Sequence, residues 1–245
     1  MTGPGGSGRA PDPLAASYRS SWGEMQADGR LSSPAAERNT APIIEALRPF
    51  LGNRQGTALE IGSGTGQHSV ALAAAFPTLA WQPSDPVERN RRSIAAWAGI
   101  AGGANLRPPI DLDATTDWRA TPVLDAALPL AAVFAANVLH IAPWTVAEGI
   151  VAGAATGLAP GGYLLLYGPF REDGRHTSEG NERFDATLRA QDQAHGIRDL
   201  EAVTDLCAKA GFEPPGIERM PANNLLLAFA RRAEGTRPHA VSPLS

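Results

Sequence analysis

The sequence predicts one α/β domain of Rossmann-like type, a mostly parallel sheet with helices on both faces. Short apolar runs alternate with helical stretches, which is the pattern of strand–helix–strand units. The chain has 245 residues, 43% hydrophobic and 19% charged, which suits a single core of that size. A glycine-rich loop joins the first apolar run to a helix. We therefore expect a domain over residues 31–232, a flexible arm at 1–30 and a tail at 233–245.

Seven strands are expected in this domain, with helices in most of the gaps. Ser33 before Pro34 is a typical helix start, because proline at the first helical position needs no N–H partner. Pro42 is expected to break or restart that helix. The stretch 111–129 is the least regular, since two prolines interrupt it. The predicted strands are 57–61, 79–82, 106–111, 131–136, 163–167, 216–220 and 225–230.

Composition excludes several classes of function. The net charge of −4 and the absence of a Lys/Arg cluster argue against nucleic acid as a partner. Cys207 is the only cysteine, so disulfides and cysteine-based zinc sites are excluded, and a buried helical position is expected for it. No signal peptide or membrane helix is recognisable, which predicts a cytoplasmic protein without a membrane partner. Composition does not indicate an oligomeric state.

The glycine loop does not fit two common nucleotide-binding patterns. A P-loop needs Lys and then Ser or Thr after its last glycine, but Gln67 and His68 follow Gly66. The dinucleotide fingerprint G-x-G-x-x-G would need glycine at Gln67 or at Ser69, depending on where the count begins. Both patterns are therefore disfavoured.

The loop does fit the acidic-x-G-x-G-x-G pattern that is typical of S-adenosylmethionine sites. Glu60 stands two residues before the first glycine, where a carboxylate favours a ligand with an ammonium and a sulfonium over an anionic dinucleotide. The alternatives are a purely structural glycine turn and an exposed acid at a strand end. The pattern predicts S-adenosylmethionine as cofactor, held at Glu60, Gly62, Ser63, Gly64 and Gly66.

Polar residues at the ends of the next three strands extend this predicted site. Asp85 ends the second strand, where a carboxylate can accept both ribose hydroxyls, or else cap the following helix. Asp111 and Asp113 follow the third strand on one face; Asp113 is favoured as the adenine contact. Asn137 ends the fourth strand. A metal site is not expected, because no histidine accompanies the aspartates at ligand spacing.

Several segments resemble the methyltransferase-like protein 26 family. They are the Ser33-Pro-Ala-Ala-Glu-Arg-Asn run, the glycine loop with its Gln-His, the Trp81-Gln-Pro-Ser-Asp run, Asn137-Val-Leu-His-Ile, Leu166-Tyr-Gly-Pro-Phe, Ser178-Glu-Gly-Asn-Glu-Arg-Phe-Asp, Gly196-Ile-Arg-Asp and Met220-Pro-Ala-Asn-Asn. The resemblance spans residues 34–232. It implies a class I methyltransferase fold of seven strands with the last antiparallel, and it implies no particular substrate.

These observations predict a methyltransferase acting on a small polar molecule. His140, Tyr167 and Asn137 are the predicted catalytic residues, with His140 as candidate base because an unperturbed histidine titrates near neutrality. The alternatives are a non-catalytic cofactor- or partner-binding protein and a nicotinamide-dependent reductase. The asparagines have a structural alternative, since Asn readily ends strands by binding local backbone. The predicted acceptor contacts are Arg38, Asn39, Asn181, Asn223 and Asn224.

Overall fold

A mixed sheet organises residues 25–232, which this computed structural model describes; the predicted tail and most of the predicted arm lie outside the described residues. The strands are β1 Gly56–Ile61, β2 Leu79–Ser84, β3 Leu130–Ala136, β4 Leu158–Glu172, β5 Arg175–His176, β6 Arg198–Asp199, β7 Gly216–Met220 and β8 Asn224–Ala230. The helices are α1 Pro34–Leu51, α2 Gln67–Ala75, α3 Glu88–Ala101, α4 Pro122–Asp125, α5 Trp144–Gly157, α6 Glu179–Gln191 and α7 Leu200–Lys209. Short 3₁₀ turns lie at Trp118–Ala120 and Pro221–Asn223.

The strand order is β2-β1-β3-β4-β8-β7. The first four of these strands are parallel, and β8 runs antiparallel to both β4 and β7. The two-residue strands β5 and β6 pair with the far end of β4. The predicted α/β architecture with an antiparallel last strand is confirmed. The direction of chain progression reverses at β1, so a crevice is expected beyond the carboxyl ends of β1 and β3.

Two expectations about single elements are wrong. The segment 106–111 does not form a continuous strand; only two isolated bridges to β2 occur, at Leu106 and at Ile110. Pro108 and Pro109 lie between these bridges and cannot donate to a strand ladder. Pro42 does not break the first helix: α1 has 18 residues and continues through this position to Leu51. Apolar residues on both sides of Pro42 are buried, and their packing outweighs the lost hydrogen bond.

Helices cover both faces of the sheet. Successive side chains of β3 point to opposite faces and pack into two different core clusters. Val133 packs in the cluster that includes α5 and α7, whereas Phe134 packs in the cluster that includes α1 and α2. Cys207 is fully buried in the first cluster, as expected, and burial raises the pKa of its thiol to about 12. This packing on both faces holds the carboxyl ends of β1 and β3 in place at the crevice.

Candidate functional site

A cavity of about 400 Å³ opens beyond the carboxyl ends of β1 and β3. Its wall is built from the start of α1, the glycine loop, the segment after β3, one residue of β4, the start of α6 and the turn before β8. The predicted residues that line it are Arg38, Asn39, Glu60, Gly62, Ser63, Gly64, Asn137, His140, Asn181 and Asn224. The predicted residues that do not line it are Gly66, Asp85, Asp113, Tyr167 and Asn223.

The glycine loop needs its glycines for backbone conformation. Gly62, Gly64 and Gly66 have φ values of 64°, 58° and 90°, in the left-handed region that other residues rarely adopt. A Cβ on Gly66 would also lie 2.7 Å from the Cα of Ile94 in α3. The glycines thus allow a tight turn and close helix packing, and the first two of them leave backbone facing the cavity.

Glu60 is a buried wall residue of the cavity, not an exposed acid at a strand end. Its side chain is 2% exposed, and its Oε2 accepts hydrogen bonds from Ser69 Oγ at 2.6 Å and Trp81 Nε1 at 2.8 Å. Burial raises the pKa of Glu60 to about 7, against the opposing effect of these two donors. The carboxyl group therefore gains from any cation that enters the cavity.

Asp85 lies beneath the glycine loop rather than on the cavity wall. Its carboxylate accepts from the backbone N–H of Gly64 at 3.0 Å and of Val87 at 2.9 Å, and from Asn90 Nδ2 at 3.0 Å. Asp85 does not cap α3, whose N-terminal cap is Val87 without a side-chain capping bond; it fixes the backbone just before that cap and tethers the loop, which sequence reasoning did not anticipate. Burial raises the pKa of Asp85 to about 6. Ribose binding by Asp85 stays a prediction.

The two aspartates considered for adenine also lie away from the cavity. Asp113 Oδ1 accepts from the backbone N–H of Thr115 at 2.9 Å and from its hydroxyl at 2.7 Å. Asp111 forms an ion pair with Arg91 at 3.1 Å. Adenine binding by Asp113 stays a prediction as well.

Asn137 occupies a left-handed turn at the end of β3. Its φ is 59°, a conformation that Asn adopts more readily than most residues, and its backbone N–H donates to Tyr167 O at 2.8 Å. Gly168 of β4 comes close here, because a Cβ on it would lie 3.5 Å from both Asn137 Oδ1 and His140 Nδ1. The turn holds both polar side chains at the cavity.

His140 is a neutral imidazole in the cavity wall. Its side chain is 4% exposed, packs edge-on against Phe184 at 5.3 Å between ring centroids, and makes no hydrogen bond to another described residue. Burial, and then the positive charge of Arg198, lower the pKa of His140 to about 3. The expectation of a pKa near neutrality is therefore wrong, since burial disfavours the imidazolium ion.

Arg198 of β6 fixes the turn that contains His140. Its guanidinium donates to Leu139 O at 3.0 Å, to Ala142 O at 2.5 Å and to Ala194 O at 2.8 Å. The backbone N–H of Gly196 donates to His140 O at 2.9 Å. The segment between β4 and α7 thus holds the imidazole in place.

The predicted tyrosine and asparagines form a connected group, but only part of it reaches the cavity. Asn224 Nδ2 donates to Tyr167 Oη at 3.0 Å, and Asn181 Nδ2 donates to Asn223 O at 3.2 Å and to Thr177 Oγ1 at 2.9 Å. Asn181 and Asn224 line the cavity, whereas Tyr167 supports Asn224 from behind. Part of the structural alternative for the asparagines is therefore realised.

Sequence reasoning missed several wall residues. The most informative is His68, which directly follows the glycine loop in the first turn of α2; its position next to the motif was the available signal. The others are mostly small or apolar, and although nearly all of them lie inside the segments quoted for the family resemblance, residue type alone did not mark them as wall residues. They are Ser33, Ala35, Ala36, Thr65, Ala136, Ile141, Pro169, Phe184 and Ala222.

Residues 25–232 contain no cluster of three or more His, Cys, Asp or Glu side chains able to bind a metal ion. Within the same range no helix is long and apolar enough to cross a membrane.

Three solved structures are similar to this chain. Mitomycin 7-O-methyltransferase MmcR matches with a TM-score of 0.66 at 18% identity, over 82% of this chain and 55% of its own. An O-methyltransferase family protein from Burkholderia thailandensis matches with a TM-score of 0.62 at 16% identity, over 82% and 60%. Human N-acetylserotonin methyltransferase in complex with S-adenosylmethionine matches with a TM-score of 0.62 at 15% identity, over 80% and 52%. Our chain thus spans little more than half the length of these proteins, and the likeness shows the fold.

A family match covers most of the chain. Residues 30–231 match the family described as "Protein of unknown function (DUF938)". That range coincides with the sheet and its covering helices. The chain therefore belongs to this family, and it has the Rossmann-like fold of class I S-adenosylmethionine-dependent methyltransferases.

Proposed function

We propose that this protein is an S-adenosylmethionine-dependent methyltransferase that acts on a small polar molecule. One observation carries the proposal: a single cavity joins the left-handed glycine loop and Glu60 to a set of neutral polar side chains after β3 and in α6. The resemblance to the methyltransferase-like protein 26 family and the three similar methyltransferase structures support it.

The residues present fit the cofactor. The backbone of Gly62 and Gly64 faces the cavity without a side chain, and the buried carboxyl of Glu60 gains from a positively charged ligand. Asn137 adds an amide between the loop and β4. S-Adenosylmethionine supplies a methyl group already activated by a sulfonium, so the protein has chiefly to align the acceptor.

The opposite wall suits a small polar acceptor. Asn181 and Asn224 offer amide donors and acceptors, and Phe184 supplies an apolar face. His140 is unprotonated at neutral pH, so its imidazole can accept a hydrogen bond from the acceptor and orient it. With a pKa of about 3 in this environment His140 is a weak base, which suits an acceptor that loses its proton easily.

One observation favours a second candidate, a non-catalytic protein that binds S-adenosylmethionine or S-adenosylhomocysteine. No carboxylate is hydrogen-bonded to the His140 ring among residues 25–232, and the hydroxyl of Tyr167 does not line the cavity. Such a protein would bind the cofactor without turnover. A nicotinamide-dependent reductase has less support, because neither count of the loop matches a dinucleotide fingerprint.

Calorimetry and methyl transfer together test these candidates. We expect micromolar binding of S-adenosylmethionine and S-adenosylhomocysteine, no binding of NAD or NADP, and transfer of a labelled methyl group to a component of a small-molecule extract. In the His140→Ala variant we expect turnover to fall at least tenfold with little change in cofactor affinity. Tyr167→Phe, which releases Asn224, should lower turnover less.

Each result has a definite meaning. Binding without transfer would favour the non-catalytic candidate, and binding of NAD in place of S-adenosylmethionine would favour the reductase. Wild-type turnover of the His140→Ala variant would place the acceptor elsewhere in the cavity.

A further inference from the structure

Two polar side chains of the cavity wall that have no role in the site described above are His68 and Arg38. His68 lies in the first turn of α2, directly after the glycine loop, and Arg38 lies in the first turns of α1. The two helix starts are joined, because the backbone N–H of Ser33 donates to Gln67 Oε1 at 2.7 Å. Thr40 of α1 also contacts His68, so the starts of α1 and α2 lie together beside the glycine loop, and both side chains line the cavity there.

The hydrogen bonds of Thr40 fix which nitrogen of His68 carries a proton. The hydroxyl of Thr40 has one hydrogen, and it donates to Ala36 O at 2.6 Å. Its 3.0 Å contact with His68 Nδ1 therefore requires Nδ1–H as the donor. Burial lowers the pKa of His68 to about 4, so the ring is neutral at neutral pH. Nε2 is then an unprotonated acceptor, and it has no hydrogen-bond partner among the described residues.

Arg38 supplies the opposite kind of group. It is an exposed side chain that lines the cavity, and it makes no ion pair or hydrogen bond with another described residue. No other Lys or Arg of the described chain lines this cavity, and the guanidinium of Arg198, which holds the turn at His140, is bound to three carbonyl groups. The region beside the glycine loop thus offers one free acceptor nitrogen and one free guanidinium.

We infer that this pair recognises the amino-acid end of the cofactor, with His68 Nε2 accepting from the α-ammonium and Arg38 donating to the α-carboxylate. The inference rests on the proposed function and extends it to one end of the ligand. An ammonium needs an acceptor and a carboxylate needs a planar donor, and the two groups match these needs. Arg38 was expected to contact the acceptor; in this assignment it contacts the cofactor.

Two ligands that differ only at this end provide the test. S-Adenosylhomocysteine carries the amino-acid tail, whereas 5′-methylthioadenosine lacks it and keeps the nucleoside and the thioether. We would measure the affinity of both by calorimetry for the wild type and for the variants His68→Phe, His68→Gln and Arg38→Met. Arg48→Met is the matched control, since Arg48 lies on the same helix, outside the cavity, and pairs only with Glu45.

We expect His68→Phe and Arg38→Met each to weaken S-adenosylhomocysteine about tenfold or more, as is usual for a lost hydrogen bond to a charged group. Both should bind 5′-methylthioadenosine as the wild type does, which also shows that they are folded. His68→Gln should recover part of the lost affinity, and Arg48→Met should resemble the wild type. Nitrogen-15 shifts of the His68 ring should show Nδ1 protonated and Nε2 unprotonated.

Other outcomes overturn the inference in distinct ways. Equal losses for both ligands would mean that the two residues act on the nucleoside end or on the fold. Unchanged affinity for both would remove the residues from the site. If the wild type binds neither ligand, the proposed function itself fails.

Discussion

Asp85 shows how a buried acid can shape a candidate site without lining its cavity. Its carboxylate holds the backbone of Gly64 in the glycine loop and of Val87 before α3, and the side-chain amide of Asn90. These N–H groups would be buried without a partner if the carboxylate were removed. The conformation of the loop thus depends on a residue 21 positions away.

Asp85→Ala should lower the free energy of unfolding by about 3 kcal/mol, because it leaves several buried donors unpaired. Cofactor affinity should fall with it as the loop loses its tether. Urea unfolding and calorimetry measure the two effects. Asp117→Ala is the control: Asp117 is exposed and accepts one backbone N–H, from Arg119 at 3.0 Å, so about 1 kcal/mol is expected. If the Asp85→Ala variant is as stable as the wild type but binds the cofactor more weakly, the prediction that Asp85 contacts the ribose directly would be favoured instead.

At the scale of elements, the glycine loop is a junction between β1, α2 and α3. Gly66 caps α2 in a left-handed conformation, and its Cα faces the backbone of α3 at Ile94. A side chain at this position would meet backbone, which cannot rotate away. The position therefore combines two independent reasons for glycine.

Gly66→Ala should destabilise the protein by about 2–4 kcal/mol, through the strained φ and the displacement of α3. Gly99→Ala is the matched change in α3 itself, where an added Cβ meets nothing within 4 Å. Gly99→Ala should stabilise by about 0.5–1 kcal/mol, since alanine favours a helix. Thermal and urea unfolding would compare the two. A Gly66→Ala variant as stable as wild type would show that α3 can move freely.

For the whole molecule, four titratable groups act on the pH dependence of stability in opposite directions; three are buried, and His68 is half-buried. Burial raises the pKa of Glu60 from 4.5 to about 7 and of Asp85 from 3.8 to about 6, so the folded state binds these protons first. Burial lowers the pKa of His140 from 6.5 to about 3 and of His68 from 6.5 to about 4, so the unfolded state binds those protons first. Between pH 4.5 and 6 the folded state holds two extra carboxyl protons and the unfolded state two extra histidine protons. The two contributions to the pH dependence of the free energy of unfolding therefore largely cancel.

Single substitutions should separate these effects. As pH falls from 6.5 to 5, the wild type should lose about 2 kcal/mol of stability relative to His140→Gln, because its unfolded state alone takes up the histidine proton. Glu60→Gln should show the reverse: as pH falls from 7 to 4.5 the wild type should gain stability relative to the variant. Urea unfolding across this range gives both differences. Parallel pH profiles for wild type and His140→Gln would mean that the histidine titrates alike in both states.

Much of the fold and part of the site could be predicted from local patterns. Alternating apolar runs indicated the β-strands, and the spacing of Glu60 and the glycines located the loop, because strand ends and left-handed turns leave direct traces in residue type. The segment 106–111 looked equally regular, yet its prolines reduce it to two bridges. Pro42 looked like a helix break, yet buried neighbours on both sides keep α1 whole.

The α/β class, the glycine loop and the polar residues at the strand ends could be read from the sequence alone, since each of these depends on neighbours close in the chain. Which of those residues face the cavity depends on how distant elements pack. Asp85 lies beneath the loop, where it accepts from Gly64, and Tyr167 lies behind Asn224. His68 lines the cavity and contacts Thr40 of α1. The pKa values of His140 and Glu60 were decided by that packing too, because desolvation depends on every element packed around a side chain.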